Sequence, residues 1–539
     1  MVGTTAPCPN ATEAAHYGGG RGVVADHDAI RELVSTEDDT LAATEELTAT
    51  VADRVRDGLA RVRREPAALT LGVAIAVWVF VFARLVVLRH DRFYTADFDL
   101  GINDQAIWLL AHGKSFDTVR GLPVFGHHAT FGYFLLVPLQ WLGGGANTWD
   151  VLQVAVLGSS AVPIAILAHR RLGRPWIATV LGLVWLLQPS VQYFAWETFH
   201  PEVIALAFLL WAYLALDAKR WKAAAILIFL ALIWKEDIAL FIVGLGGLYA
   251  IRRQWRVAGA LVASGLAWFA FTAMWLVPHE AGGATVYGAL YGNLGDTPGQ
   301  VFINSIRHPS RAIGRFIDND AVGYGRDLNV PFSFSPLAAP EVLITGLPQA
   351  AINALTRAAF TTDIRYHYQA LPLLALGLGM VEGIARLVRW RPRSLTGVVG
   401  VVAAVAFATT VGWGPSPVGV RYHGGYWPLR TGAELPARRA AIALVSDDRG
   451  VAADFAMVPH LTHRDVIYTY PNPWNNLNFG IRPTDHGDPA KVHWLVLNEG
   501  FLNASGKALY ASLLDDGEFV ERFNKAGVVV AERVKFANG

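Results

Sequence analysis

Runs of about twenty apolar residues, free of charge, recur along the chain between residues 67 and 413 and stop there. That length matches the roughly 30 Å hydrocarbon core of a bilayer, in which a helix satisfies its own backbone. Spans are expected over 67–88, 148–168, 176–196, 199–216, 221–234, 238–251, 257–277, 369–388 and 395–413. Two moderately apolar stretches, 316–334 and 337–356, flank Pro331, Pro336 and Pro340 and are expected as a hairpin, giving about eleven spans. The runs 221–234 and 238–251 are short, since fourteen helical residues cover only about 21 Å. They are expected as two spans with Lys235, Glu236 and Asp237 at the edge of a cavity.

The polar residues between the runs alternate in kind. His169-Arg170-Arg171 with Arg174, Lys219-Arg220 with Lys222, Arg252-Arg253 with Arg256, and Arg386 to Arg393 fall on one side. Glu197-Thr-Phe-His-Pro-Glu202 and Lys235-Glu-Asp237 fall on the other. Basic loops stay in the cytoplasm, so the tail 1–66, ending in Arg61, Arg63 and Arg64, is expected inside. Residues 1–25 read as disordered and 26–65 as a surface helix, with the first apolar run acting as an uncleaved signal-anchor. The transmembrane domain is expected over 67–413, with a first outer loop at 89–147. An odd number of spans leaves 414–539 on the far side of a multi-pass plasma-membrane protein. That segment alternates short strands and helices: helix near 436–446, strands near 450–453, 466–470 and 492–498, helix 508–514, and a strand pair in 519–533. The pattern predicts a small α/β domain.

Composition sharpens this reading. Charged residues are 17% and hydrophobic residues 53%, against the roughly 25% charge of soluble domains. With 45 Lys+Arg against 44 Asp+Glu, no basic excess points to nucleic acid. Cys8 is the sole cysteine, which excludes disulfides and thiolate metal sites within one chain.

The densest chemistry follows the first span, where Asp97, Asp99, Asp104 and Gln105 lie within nine residues. Ile102 to Leu110 reads as a short amphipathic helix, so Asp99 serves either as its cap or as an acid facing a ligand. The adjacent His127 and His128 suit a metal, a phosphate or simple interfacial hydrogen bonds. They precede 130–142, which is too short to span and is expected to lie at the interface. Other loops on this side supply Glu197, His200, Glu202, Lys235, Glu236, Asp237, Arg365, Tyr366 and His367. Cations that hold a phosphate beside a carboxylate that removes a proton would form a transferase site.

Phe98-Asp-Leu-Gly-Ile-Asn-Asp-Gln-Ala-Ile-Trp108, Phe199-His-Pro-Glu202, Lys235-Glu-Asp237, Tyr366-His-Tyr-Gln369 and Val458-Pro-His-Leu-Thr-His-Arg464 resemble a prokaryotic family of uncharacterised predicted membrane proteins. The order of elements resembles the GT-C superfamily of membrane glycosyltransferases, over about residues 70–535. The resemblance implies an all-α GT-C-like bundle, a polyprenyl-phosphate sugar as donor, and a cell-envelope glycan or protein as acceptor, among membrane lipids. It makes Asp99 the general base, with Asp97 and Asp104 as rivals. Lys235, Arg365 or His367 would steady the leaving phosphate. A divalent metal is used by some relatives, with Glu197, His200, Glu202 or Asp237 as candidate ligands here. The alternatives are a transporter lined by these groups and a non-catalytic scaffold whose C-terminal domain binds a ligand.

Overall fold

In a computed structural model the described residues are 65–283, 288–445, 448–475 and 487–535. The expectations for the tail, including Cys8, lie outside them. The fold is mostly helical, with a small sheet near the C-terminus.

Five helices among the described residues are long and apolar enough to cross a membrane: Pro66–Asp91, Ala146–Leu172, Trp255–Glu280, His367–Arg389 and Pro392–Trp413. A sixth span forms if Pro175–Leu187 and Pro189–Trp196, bent by 51° at Gln188, are taken together. Pro189 supplies no N–H there, and the Gln188 side chain accepts from Ser190 N at 2.5 Å instead. Trp221–Leu232 and Ile238–Ile251 are shorter apolar helices separated at 233–237, as their length foretold. The count of about eleven is therefore not reached by length and apolarity.

The largest departure is 316–356. No hairpin of two long helices forms; the chain breaks into Ala321–Asn329, Pro340–Leu343 and Leu347–Leu355 with 3₁₀ turns at Val330–Phe332 and Ser335–Ala338. Prolines 331, 336, 340 and 348 each remove a helical donor, so no continuous run is available. These pieces fit closely against neighbouring helices. A Cβ on Gly244 would lie 2.7 Å from Thr345 Cα, and one on Gly383 would lie 2.1 Å from Ser335 O.

Two of the basic loops are tied together by one polar network. Arg171 bonds Asp217 at 2.5 Å and Glu382 at 2.8 Å, Tyr213 donates to Glu382 at 3.0 Å, and Arg252 donates to Tyr213 at 3.1 Å. Of the basic residues expected on one side, Arg171 and Arg252 thus meet in one network.

After Trp413 the expected α/β order is found. The sheet runs Ile467–Thr469, Val451–Ala453, Trp494–Asn498, Val528–Arg533, Phe519–Lys525, with the first three parallel and the last two antiparallel. The hairpin turns at Ala526 and Gly527, both at positive φ, as a right-twisted two-residue turn requires. Both faces of the inner strands are buried, in alternation, while Phe519–Lys525 is a largely exposed edge. Val451, Ala453, Val496 and Val530 pack with Met457, Val458 and with Phe93, Ile102 and Val119 of the loop after the first span. Leu495, Leu497 and Val529 pack with Tyr510 and Leu513 of helix Ala504–Asp515. The loop after the first span is therefore part of the C-terminal domain's core.

Replacing Arg171 by Met strands two carboxylates that share it. Because Arg171 is partly solvated, a cost of about 1–3 kcal/mol is expected, read as a lower thermal midpoint in detergent. An unchanged midpoint would contradict the tie.

Candidate active site at the helix ends

The site begins as a backbone problem. Helix Pro189–Trp196 ends just before Pro201–Asp217 begins, and Trp221–Leu232 ends before Ile238, so both breaks leave carbonyls without helical partners. Side chains and backbone from elsewhere fill them. Arg89 donates to Trp196 O at 2.5 Å and lies over the Trp196 ring at 4.4 Å. Gln153 Nε2 donates to Phe194 O at 2.7 Å and to Thr198 O, while its Oε1 accepts from His200 N at 2.6 Å. Asn103 donates to Phe199 O at 3.2 Å and to Asp99 O at 2.8 Å, and accepts from the Tyr133 hydroxyl. At the second break Gly132 N donates to Ile233 O at 2.7 Å. A Cβ on Gly132 would sit 2.5 Å from the Trp234 ring, so only glycine brings the backbone that close.

On this scaffold the acids and histidines converge. His200 and His367 stack at 3.9 Å. His367 Nδ1 meets Glu197 Oε1 at 2.9 Å and its Nε2 lies 3.6 Å from Glu202 Oε1. Lys235 donates to Glu202 Oε1 at 2.5 Å. Asp99 Oδ1 lies 3.6 Å from His200 Nε2, and its side chain keeps 38% exposure where those of Glu202 and Glu197 keep 4% and 6%. Asp99 is thus the open end of a buried chain of polar groups. It caps nothing: one π-turn, Asp97–Gly101, runs straight into helix Ile102–Ala111 without a side-chain cap.

The neighbouring candidates point elsewhere. Asp97 accepts from Thr469 at 2.6 Å. Asp104 accepts from Trp149 Nε1 at 2.7 Å and from the Thr462 hydroxyl, with His463 Nε2 at 3.3 Å. Gln105 donates to Thr118 at 2.9 Å and Arg464 O at 3.2 Å, and accepts from Val119 N at 3.0 Å. These three bind the loop to the C-terminal domain. His128 pairs with Glu236 at 2.7 Å, and Glu236 also accepts from Ala129 N at 3.1 Å, so this pair fixes the loop to the second break. The His127 ring lies tilted against His128 at 4.4 Å and is held neutral by burial and by the neighbouring His128. Asp237 is pushed up to about 7 by burial, and Lys235 is the main group opposing that shift. Arg365 is bound by Asp363 at 2.5 Å and donates to the Tyr426 hydroxyl at 3.0 Å. Tyr366 follows it, half-buried. Both cations expected to hold a phosphate, Lys235 and Arg365, therefore already carry an acidic partner.

Arg89 was not foreseen. An arginine closing an apolar helix reads as an interfacial anchor, yet the carboxylates whose charge reaches it are Asp150, Asp99 and Glu197. Asp150 is buried with both oxygens lacking a hydrogen bond among the described residues.

A cation would find ligands here. Glu197, His200 and His367 offer ligand atoms all within 4.8 Å of one another, and Glu197 Oε2 is buried without a hydrogen-bond partner. Two imidazoles and a carboxylate suit a divalent ion of the zinc type. Burial pushes the Glu197 carboxyl well above the usual range, so a metal would displace a proton from it.

The apolar helices, with acids and histidines collected at one end, define an integral membrane protein with its polar site at the helix ends. The chain belongs to the family described as "Predicted membrane protein (DUF2079)", which matches residues 89–516. No curated protein matches it. Among solved structures it is similar to ArnT from Cupriavidus metallidurans in the apo state. The likeness has 14% identity, covers 86% of this chain and 98% of that one, and has a TM-score of 0.47.

Two measurements probe this arrangement. Lys235→Met leaves Glu202 buried without its cation and should cost about 3–5 kcal/mol, largely recovered in Lys235→Met/Glu202→Leu. A thermal-stability cycle without coupling would refute the pairing. Burial pushes Asp97 up to about 6, so its ionisation in the folded state is penalised as pH rises from about 3.9, the ordinary value, toward 6. Asp97→Asn removes that penalty, so the variant's midpoint relative to the parent should climb over this window and level off above it. A constant difference across pH would contradict the shift.

Proposed function

We propose that the protein is an integral membrane glycosyltransferase that moves a sugar from a polyprenyl-phosphate donor to an extracytoplasmic acceptor, with Asp99 as general base. The observation that carries this reading is the buried chain Glu202, His367, Glu197 and His200, of which the neighbouring Asp99 is the most exposed end. It meets the sequence resemblance to GT-C enzymes at the carboxylate that the resemblance singles out.

Asp99 takes the proton from the acceptor hydroxyl as that oxygen attacks the anomeric carbon, and the lipid phosphate leaves with the bonding electrons. His200, beside Asp99, orients the carboxylate and tempers its charge. Lys235 meets a phosphate by exchanging Glu202 for it, and Arg365 by exchanging Asp363. A divalent metal held by Glu197, His200 and His367 would supply further charge stabilisation to that phosphate. The apolar faces of the spans and of helix Tyr133–Trp141, which exposes Phe134, Leu135 and Trp141, suit a polyprenyl chain. On this reading the site end and the C-terminal domain face away from the cytoplasm, in the plasma membrane. The cluster lies at helix ends rather than along mid-membrane faces, which disfavours an ion or substrate pathway.

The test is transfer from synthetic polyprenyl-phosphate sugars by purified protein. Asp99→Asn should lower kcat by about 10²–10⁴-fold with the fold retained, and Asp97→Asn should not. Activity surviving Asp99→Asn would overturn the assignment of the base.

A further inference from the structure

Two guanidinium groups converge on one phenol oxygen beside the acid–histidine cluster. Arg365 Nη1 and Arg421 Nη1 each donate to the Tyr426 hydroxyl at 3.0 Å, which puts the two nitrogens within about 6 Å of each other. Asp363 takes the other edge of Arg365, at Nε and Nη2, and leaves Nη1 to Tyr426. Arg421 meets no carboxylate among the described residues. Its remaining contact is with the face of the Tyr426 ring, at 5.8 Å. Two cations thus stand here against one directly bonded acid.

The place is held firmly and remains open to a ligand. Arg421 lies in the 3₁₀ turn Val420–His423, and the chain after it is tied to the bundle at each step. Tyr426 O accepts from Trp196 Nε1 at 2.6 Å, Trp427 Nε1 donates to Pro415 O at 2.6 Å, and Arg92 donates to Pro428 O. The Tyr426 ring meets Trp196 edge-on at 5.4 Å. Trp196 directly precedes Glu197, and Arg365 stands two residues before His367, so the pair borders the cluster. Arg365, Arg421 and Tyr426 are all only half-buried, and the Arg365 side chain keeps 41% exposure.

Charge and surroundings narrow the ligand. An oxygen that accepts from two guanidiniums stands where an anionic oxygen would be held about twice as strongly. The same donors hold the Tyr426 hydroxyl below its ordinary value: burial opposes the shift, and hydrogen bonds to Arg365, Tyr193 and Arg421 outweigh it. A tetrahedral oxyanion has several oxygens and can meet both forks at once. Val418 and Val420, next to Arg421, are exposed, and the last span ends at Trp413 just before them. An anion seated here therefore has apolar surface beside it, which suits a charged head on a hydrocarbon chain. We infer that Arg421 and Arg365, with the Tyr426 hydroxyl between them, seat the phosphate of the polyprenyl chain. The inference rests on the transferase reading for the identity of that chain, and brings Arg421 and Tyr426 into its phosphate grip.

The probe is polyprenyl monophosphate without a sugar, titrated against the full chain in detergent by native mass spectrometry. Uncharged polyprenol, phosphatidylglycerol and inorganic phosphate are run beside it. The monophosphate should bind roughly tenfold tighter than any of these, and roughly tenfold weaker in Arg421→Ala. Arg421→Lys should lose less, because an ammonium keeps the charge and gives up the fork. Asp363→Asn should tighten binding by removing the competing carboxylate, an outcome that a folding defect cannot produce. Unchanged binding in Arg421→Ala overturns the seat. Polyprenol binding as well as its phosphate overturns the anion, and equal binding of phosphatidylglycerol or inorganic phosphate overturns the polyprenyl source. Arg421-dependent binding without any sugar transfer would defeat the transferase reading alone, whereas transfer indifferent to Arg421 would defeat this inference alone.

Discussion

A helix broken near the membrane surface must find partners for the carbonyls it releases, and that requirement organises this molecule. The breaks at 196–200 and 233–237 are closed by Arg89, Gln153, Asn103 and the backbone of Gly132, drawn from the first span, its loop and the helix that follows. In a medium where each unmet group costs several kcal/mol, these partners are structural necessities. They also fix where Glu197, His200 and Lys235 can stand. The polar cluster is built onto a patch whose first job is to satisfy backbone.

Much of this was readable from residue order. The sheet-forming segments after Trp413 announced themselves by short apolar runs between turn residues, and 508–514 by its helical pattern. The helix Ile102–Ala111 and the short pair 221–251 followed from length and periodicity. The stretch 316–356 did not, because its mean apolarity resembles a hairpin while four prolines forbid one. Tertiary grooves around Gly244 and Gly383 decide where the fragments go, and no local pattern encodes that.

The choice among Asp97, Asp99 and Asp104 shows the same boundary. Spacing alone placed all three near one another. The π-turn at Asp97–Gly101 alters the rotation per residue from that of an α-helix, and the docked C-terminal domain claims Asp97 through Thr469 and Asp104 through Thr462. Asp99 is left toward His200. Likewise, counting cations in the sequence suggested free phosphate ligands, whereas Lys235 and Arg365 carry Glu202 and Asp363. Burial demands that pairing, since an unpartnered ammonium or guanidinium is costly in low dielectric.

The knot of Arg171, Asp217, Glu382, Tyr213 and Arg252 joins four helices at the opposite end of the bundle. Helices Pro201–Asp217 and Ala370–Arg389 begin beside His200 and His367 and reach this knot through Asp217 and Glu382. Displacement grows with distance from a pivot, so a tilt of these helices would be felt least at the knot and most beside His200 and His367.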